Sequence, residues 1–179
     1  MTVLVAVLAI GAVSHAPAPG GATHLETATF AGGCFWGLQE TLRQIPGVIK
    51  TTVGYTGGTT PNPTYELVAG GKSGHQEAVE VVFDPARLSY EQLLTDFLTA
   101  KTPARLATST NSVHHPAIFY HNEAQRQAAV SVRSKIGKPG KWDAPYVADI
   151  HPATPFYRAE EFHQDYYRKT AAARMCGLE

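Results

Sequence analysis

The stretch Thr27-Ala28-Thr29-Phe30-Ala31-Gly32-Gly33-Cys34-Phe35-Trp36-Gly37 decides how this chain is read. Residues 27–30 make a short strand that runs into a glycine pair, and the glycines free the following turn from side-chain bulk. A helix begins near Cys34, because Phe35, Leu38, Leu42 and Ile45 recur at helical spacing and Pro46-Gly47 stops them. A cysteine at the first turn of a helix faces unpaired backbone N–H groups and the positive end of the helix dipole. Both favour thiolate over thiol, and a thiolate so placed is a nucleophile. A lone cysteine is more often a small buried hydrophobe. The glycine bracket and the two large aromatics beside Cys34 reverse that preference, since aromatic walls next to a reactive sulfur suit a small apolar substrate group.

Working outward, residues 48–55 read as a strand that ends at Gly57-Gly58. Residues 59–74 are rich in Gly, Pro, Asn and Thr and are expected as a long ordered loop, which in a compact domain is usually functional. Residues 77–83 set Glu77, Val79, Val81 and Phe83 against Ala78, Glu80 and Val82, the alternation of a strand. Ser89 with Gln92 forms a capping box for a helix that buries Leu93, Leu94, Phe97 and Leu98. Residues 117–120 are a strand, and Asn122 with Gln125 caps a helix that runs to about Ile136. A last strand is expected over 146–150 and a last helix over 159–172. Strands and helices mix without strict βαβ alternation. The class is α+β: one domain over 24–179, with a mixed central sheet, packed helices, long loops and a mobile C-terminal tail.

The chain has 179 residues, enough for one domain with a real core. Lys+Arg and Asp+Glu number 15 each. That neutral balance offers no basic field for nucleic acid and no basic cluster for a membrane surface. It fits a substrate chosen by shape and local chemistry, and a monomer is expected. The two cysteines, Cys34 and Cys176, are too few for a disulfide-rich scaffold and form no CxxC pair of the kind that holds zinc. By number alone they are equally a structural staple or a redox couple. Residues 1–23 carry no Asp, Glu, Lys or Arg and include an apolar run from Val3 to Val13, too short to span a bilayer. They read either as a signal peptide or as a disordered, dispensable extension, leaving the compartment open between cytoplasm and export.

Three further features carry chemistry. Glu77, in Gly74-His75-Gln76-Glu77-Ala78-Val79, shares a strand face with Val79, Val81 and Phe83. A carboxyl leaning toward an apolar face tends to stay protonated and can act as a general acid, although alone a solvated strand end is the simpler reading. Tyr65, in Asn62-Pro63-Thr64-Tyr65, either offers its hydroxyl to a substrate oxygen or packs. Cys176, in Arg174-Met175-Cys176-Gly177, is badly placed for a core staple and well placed to swing onto another sulfur.

Taken in order, Gly33-Cys34-Phe35-Trp36-Gly37, Val53-Gly54-Tyr55-Thr56-Gly57-Gly58, Asn62-Pro63-Thr64-Tyr65, Gly74-His75-Gln76-Glu77-Ala78-Val79, Asp84-Pro85 and Glu161-Phe162-His163-Gln164 resemble the peptide methionine sulfoxide reductase A family. The resemblance spans about residues 27–179. It implies reduction of methionine S-sulfoxide, free or in proteins, with no cofactor or metal and with an external dithiol such as thioredoxin as recycling partner. On this resemblance Cys34 is the nucleophile, Phe35 and Trp36 are walls of the methyl pocket, Glu77 is the acid, Tyr65 is a hydroxyl donor and Cys176 is the resolving cysteine. A Cys34 sulfenic acid and then a Cys34–Cys176 disulfide follow from those roles.

The sequence departs from the family pattern over 101–116. The family carries His-Asp-Pro-Thr, an Asn-Asp, and Gly-x-Gln-Tyr-Arg-Ser before the strand. Here stand Lys101-Thr102-Pro103-Ala104 and Asn111-Ser112-Val113-His114-His115-Pro116 in a shorter segment. The family aspartate falls on Ser112, and the second active-site tyrosine has no counterpart. Ser112, His114 or His115 is therefore expected to approach the site, or the site to be more open to water. A metal bound by adjacent histidines is not expected, because neighbouring side chains of an extended segment diverge. The altered segment also leaves room for two alternatives: the same thiol chemistry on a different sulfoxide, or a redox-sensing module with little turnover.

Overall fold

The computed structural model describes residues 24–100, 113–136 and 148–170. Its elements are β1 (Glu26–Ala31), α1 (Phe35–Arg43), β2 (Val48–Thr56), α2 (Tyr65–Ala69), β3 (Gln76–Phe83), α3 (Tyr90–Thr99), β4 (Ala117–Tyr120), α4 (Glu123–Ile136), β5 (Asp149–Pro152), β6 (Tyr157–Arg158), a 3₁₀ turn (Glu161–His163) and α5 (Tyr166–Lys169). The strands form one sheet in the order β5-β4-β1-β3-β2-β6. All neighbours are antiparallel except β4 and β5, which are parallel and joined through α4. The fold is α+β with a mixed sheet.

Alternation along the strands sends two sets of side chains to opposite faces. Ala28 and Phe30 of β1, Val79, Val81 and Phe83 of β3 and Val53 of β2 belong to the main core with residues of α1, α3 and α4. There Phe30 stacks on Phe97 of α3 with ring centroids 4.6 Å apart. The other face is lined by Ala31, Ala78, Ala117 and Phe119, with Phe156 packed on them. Gly54 lets this face close. A Cβ there would lie 2.4 Å from both the Phe156 ring and the Tyr157 carbonyl oxygen.

Both N-caps form at the expected residues, but the box at Ser89 does not close, because the Gln92 side chain donates to Asp96 Oδ1 at 2.8 Å. Ser89 Oγ accepts the Gln92 N–H at 3.2 Å, and Asn122 Oδ1 accepts the Gln125 N–H at 2.9 Å. Gln125 Oε1 reaches back one residue beyond the usual box, to the His121 N–H at 2.9 Å, while its Nε2 donates to the Thr27 carbonyl at 2.8 Å. This ties α4 to β1.

Three expectations need correction. Residues 59–74 hold a short helix, α2, whose five residues are too few for a periodic signal. The strand expected over 146–150 is Asp149–Pro152, and it is not the last, since β6 follows it; residues 146 and 147 lie outside the described residues. No continuous helix spans 159–172. Residues 157–158 pair with β2, a 3₁₀ turn follows, and the chain breaks at Gln164 and Asp165 before four residues of α5.

Tertiary hydrogen bonds hold that break open. Gln164 Oε1 accepts the Val53 N–H at 3.0 Å, and its Nε2 donates to the carbonyls of Val53 at 2.9 Å and Ala159 at 3.0 Å. Asp165, at φ +52, donates its N–H to Gln39 Oε1 at 2.9 Å. Gln164→Ala orphans the Val53 N–H inside the protein and is expected to cost about 1–3 kcal/mol. Urea unfolding measures it, and an unchanged midpoint would show that Gln164 is not the link.

Candidate active site

β1 and β3 run side by side, with Ala31 opposite Ala78, so the turn after β1 lies beside the first residues of β3. Gly33 makes that turn at φ +69, a left-handed conformation, and donates its N–H to the His114 carbonyl at 2.9 Å. Cys34 follows as the N-cap of α1, half-buried, with its carbonyl accepting the Leu38 N–H at 3.2 Å. In the first helical turn the N–H groups lack intrahelical acceptors. The Phe35 N–H meets Glu77 Oε2 at 3.0 Å.

Glu77 stands at the start of β3, paired with Tyr55 across β2, and its side chain is 3 % exposed. Its backbone N–H donates to the Val113 carbonyl at 3.1 Å, which braces the segment before β4. Its second oxygen, Oε1, lies 3.4 Å from His114 Nε2. The His114 side chain is 42 % exposed. Its hydrogen bond to Glu77 holds the imidazole above the ordinary histidine range, against the opposing effect of burial.

His115 turns away. Its Nε2 is 3.2 Å from Asp149 Oδ2, an oxygen that also lies 3.8 Å from His151 Nε2. The two imidazoles part as expected, although Val113 and His114 form a turn and not the extended segment that the expectation assumed. This second group lines a groove of about 580 Å³ with Gln76 and Phe119, and none of Cys34, Tyr65 or Glu77 lines it. Among the described residues no three His, Cys, Asp or Glu side chains are placed to hold a metal ion.

An aromatic cluster completes the surroundings of Cys34. Phe35 is fully buried, its ring 6.0 Å from Tyr55, 6.5 Å from Tyr65 and 5.1 Å from His163. Trp36 is half-buried and stacks on Tyr166 at 3.8 Å, nearly parallel. Its indole N–H donates to His163 Nδ1 at 3.0 Å, so the His163 ring proton sits on Nε2. Burial lowers His163 below the ordinary histidine range, outweighing the charges of Glu160, Glu77 and Glu66.

Tyr65, the first residue of α2, has its ring 4.6 Å from His163 and its N–H bound to Glu160 Oε1 at 3.1 Å. Burial, then the charges of Glu77 and Cys34, push its hydroxyl up and keep it protonated. Glu160 Oε2 accepts the Tyr55 hydroxyl at 2.7 Å. One carboxylate in the chain after β6 therefore positions both tyrosines.

The structure brings Cys34, Phe35, Trp36, Tyr65 and Glu77 into one neighbourhood and adds His114 to it. Cys176 and Ser112 lie outside the described residues. Sequence reasoning gave no role to Tyr55, Glu160, His163 or Tyr166. The Glu161-Phe162-His163-Gln164 run was a signal that a helix assignment absorbed, although a His-Gln pair buried to 1 % and 4 % exposure is unusual for one.

Comparison with known proteins gives the family. Residues 26–179 match the model of the peptide methionine sulfoxide reductase family. The chain is 45% identical over 148 residues to peptide methionine sulfoxide reductase MsrA of Methanosarcina acetivorans, covering 81% of this chain and 79% of that one. Among solved structures, methionine sulfoxide reductase A of Corynebacterium diphtheriae superposes with TM-score 0.71 at 30% identity, over 84% of this chain and 77% of its own. Mxr1 of Saccharomyces cerevisiae, crystallised in complex with Trx2, shares the fold at TM-score 0.55 and 23% identity, over 87% and 90% of the two chains. With its motifs gathered around Cys34 and its family model matched from β1 to the last residue, the chain belongs to the peptide methionine sulfoxide reductase family, as an oxidoreductase of the MsrA type.

Proposed function

We propose that the chain reduces methionine S-sulfoxide, free or in proteins, through a sulfenic acid on Cys34 and a Cys34–Cys176 disulfide. The observation that carries this reading is the hydrogen bond from the Phe35 N–H to Glu77, which fixes a buried carboxyl beside the residue that follows Cys34. The N-terminus of α1 favours the Cys34 thiolate. The S-methyl group of the substrate lies against Trp36 and Phe35, held by apolar and sulfur–aromatic contact. Tyr65 donates its hydroxyl to the sulfoxide oxygen, and Glu77 gives that oxygen a proton.

The balance closes without a metal. The Cys34 thiolate, the sulfoxide and one proton yield methionine and Cys34–SOH: the sulfoxide S–O bond breaks and the Cys34 S–O bond forms. The sulfoxide sulfur gains the two electrons that Cys34 loses. Cys176 then displaces the hydroxyl as water and forms the disulfide, which a thioredoxin-like dithiol reduces by exchange. The yeast relative's complex with Trx2 supports that partner.

Cys176→Ser tests the second half. It is expected to form one methionine per enzyme, to leave a dimedone-reactive sulfenic acid on Cys34 and to fail in multiple turnover with thioredoxin. Undiminished turnover would remove Cys176 from the cycle. A panel of free and peptide methionine S- and R-sulfoxides beside simple dialkyl sulfoxides tests the first half. Preference for a non-methionine sulfoxide would replace this substrate with another for the same chemistry.

A further inference from the structure

We propose that His114 is a positioning residue that shares one proton with Glu77, so that the acid serving the sulfoxide oxygen is the carboxyl–imidazole pair and not the carboxyl alone. This rests on the reading of Cys34 and Glu77 above and deepens it. After giving up its proton, Glu77 is a carboxylate only 3 % exposed, with one N–H, that of Phe35, on Oε2. A buried carboxylate is costly unless its other oxygen is also met and its charge offset. His114 Nε2, 3.4 Å from Oε1, does both when the imidazole is protonated. With its side chain 42 % exposed, His114 also connects the buried carboxyl to solvent, from which the pair takes back the proton it spends.

The groups that face Glu77 from other elements do not fill this role. Tyr55 of β2 is held protonated by burial and by its hydrogen bond to Glu160, and Tyr65 of α2 by burial and then the Glu77 charge. His163 of the 3₁₀ turn is held neutral by burial and is engaged by Trp36. Cys34, which precedes the Phe35 amide, is the nucleophile of the same step. His115 faces Asp149 on the other side of the segment. The Gly33 N–H to His114 carbonyl bond and the Glu77 N–H to Val113 carbonyl bond fix the backbone from which His114 reaches the carboxyl.

The sign follows from the pair. The shared proton is kept below the raised midpoint of His114 and is lost as pH rises through it. The test is the pH dependence of the first turnover, methionine formed without reductant, in the parent and in His114→Gln. The parent's alkaline limb is expected to follow the imidazole. In the variant it moves down by about one unit, making the rate on that limb roughly tenfold lower, with a change of less than about twofold at the acid end. A second measurement is the NMR titration of the His114 ring, whose midpoint is expected to fall in Glu77→Gln. Two results would overturn the proposal: a uniform rate loss with the limb unmoved, or a His114 midpoint indifferent to Glu77→Gln. A parent that forms no stoichiometric methionine overturns the underlying reading and this proposal with it. A normal parent burst with an unmoved limb overturns this proposal alone.

Discussion

Cys34→Ser is expected to remove sulfoxide reduction entirely while the domain stays folded. The chemistry requires an atom that gives up two electrons and takes an oxygen, and a serine hydroxyl does neither. It is also not ionised at neutral pH, so it cannot enter the pocket as a nucleophile of lower power. The fold has no reason to suffer. Cys34 is the N-cap of α1 and makes no side-chain capping bond, and serine is among the preferred residues there. The half-buried site accepts an oxygen in place of sulfur with little change of volume. Methionine formation measured by chromatography should drop to the background without enzyme, with the thermal midpoint unchanged or slightly raised. Retained turnover would overturn the proposed mechanism at its first step, whatever the behaviour of Glu77 or Cys176.

The sequence made the elements around Cys34 legible because each carries its own local signal. β3 alternates, α3 and α4 have side-chain caps, and the apolar positions of α1 recur at helical spacing. The partnership of Cys34 and Glu77 was legible only by resemblance, because it depends on β1 lying beside β3 with Ala31 opposite Ala78. His114 and His115 show the limit of alternation. The two side chains part at the turn before β4, and which one meets Glu77 depends on the register that puts Ala117 opposite Ala31. Residues 157–165 failed for a different reason. Their shape is set by Gln164 and Asp165 bonding to Val53 and Gln39, more than a hundred residues away in sequence, and such bonds leave no local pattern. Glu160, which orders Tyr55 and Tyr65, sits in that stretch and was missed with it.

Glu77→Gln carries the second large effect. It is expected to slow the sulfoxide step by about two to four orders of magnitude, the scale of a lost general acid. The amide is nearly the same shape as the carboxyl, and its oxygen still accepts the Phe35 N–H that Glu77 Oε2 now accepts at 3.0 Å. The turn at Cys34 and the start of α1 therefore keep their support. A fall in rate with an unchanged urea midpoint would then report the lost proton and not a collapsed site. The variant also separates two ways in which Glu77 can matter. If it only holds the Phe35 amide, the amide side chain substitutes for it and the rate barely moves. If it delivers the proton, the rate falls and is partly restored as pH is lowered, because solvent acid begins to protonate the oxygen in its place. That restoration is bounded from below by protonation of Cys34 itself, so it should appear as a shoulder on the acid side of the profile and not as full recovery. A variant with the parent's first-turnover rate and the parent's pH profile would remove Glu77 from the reaction. The Tyr65 hydroxyl, kept protonated by burial, would then be the remaining donor of the proposed set.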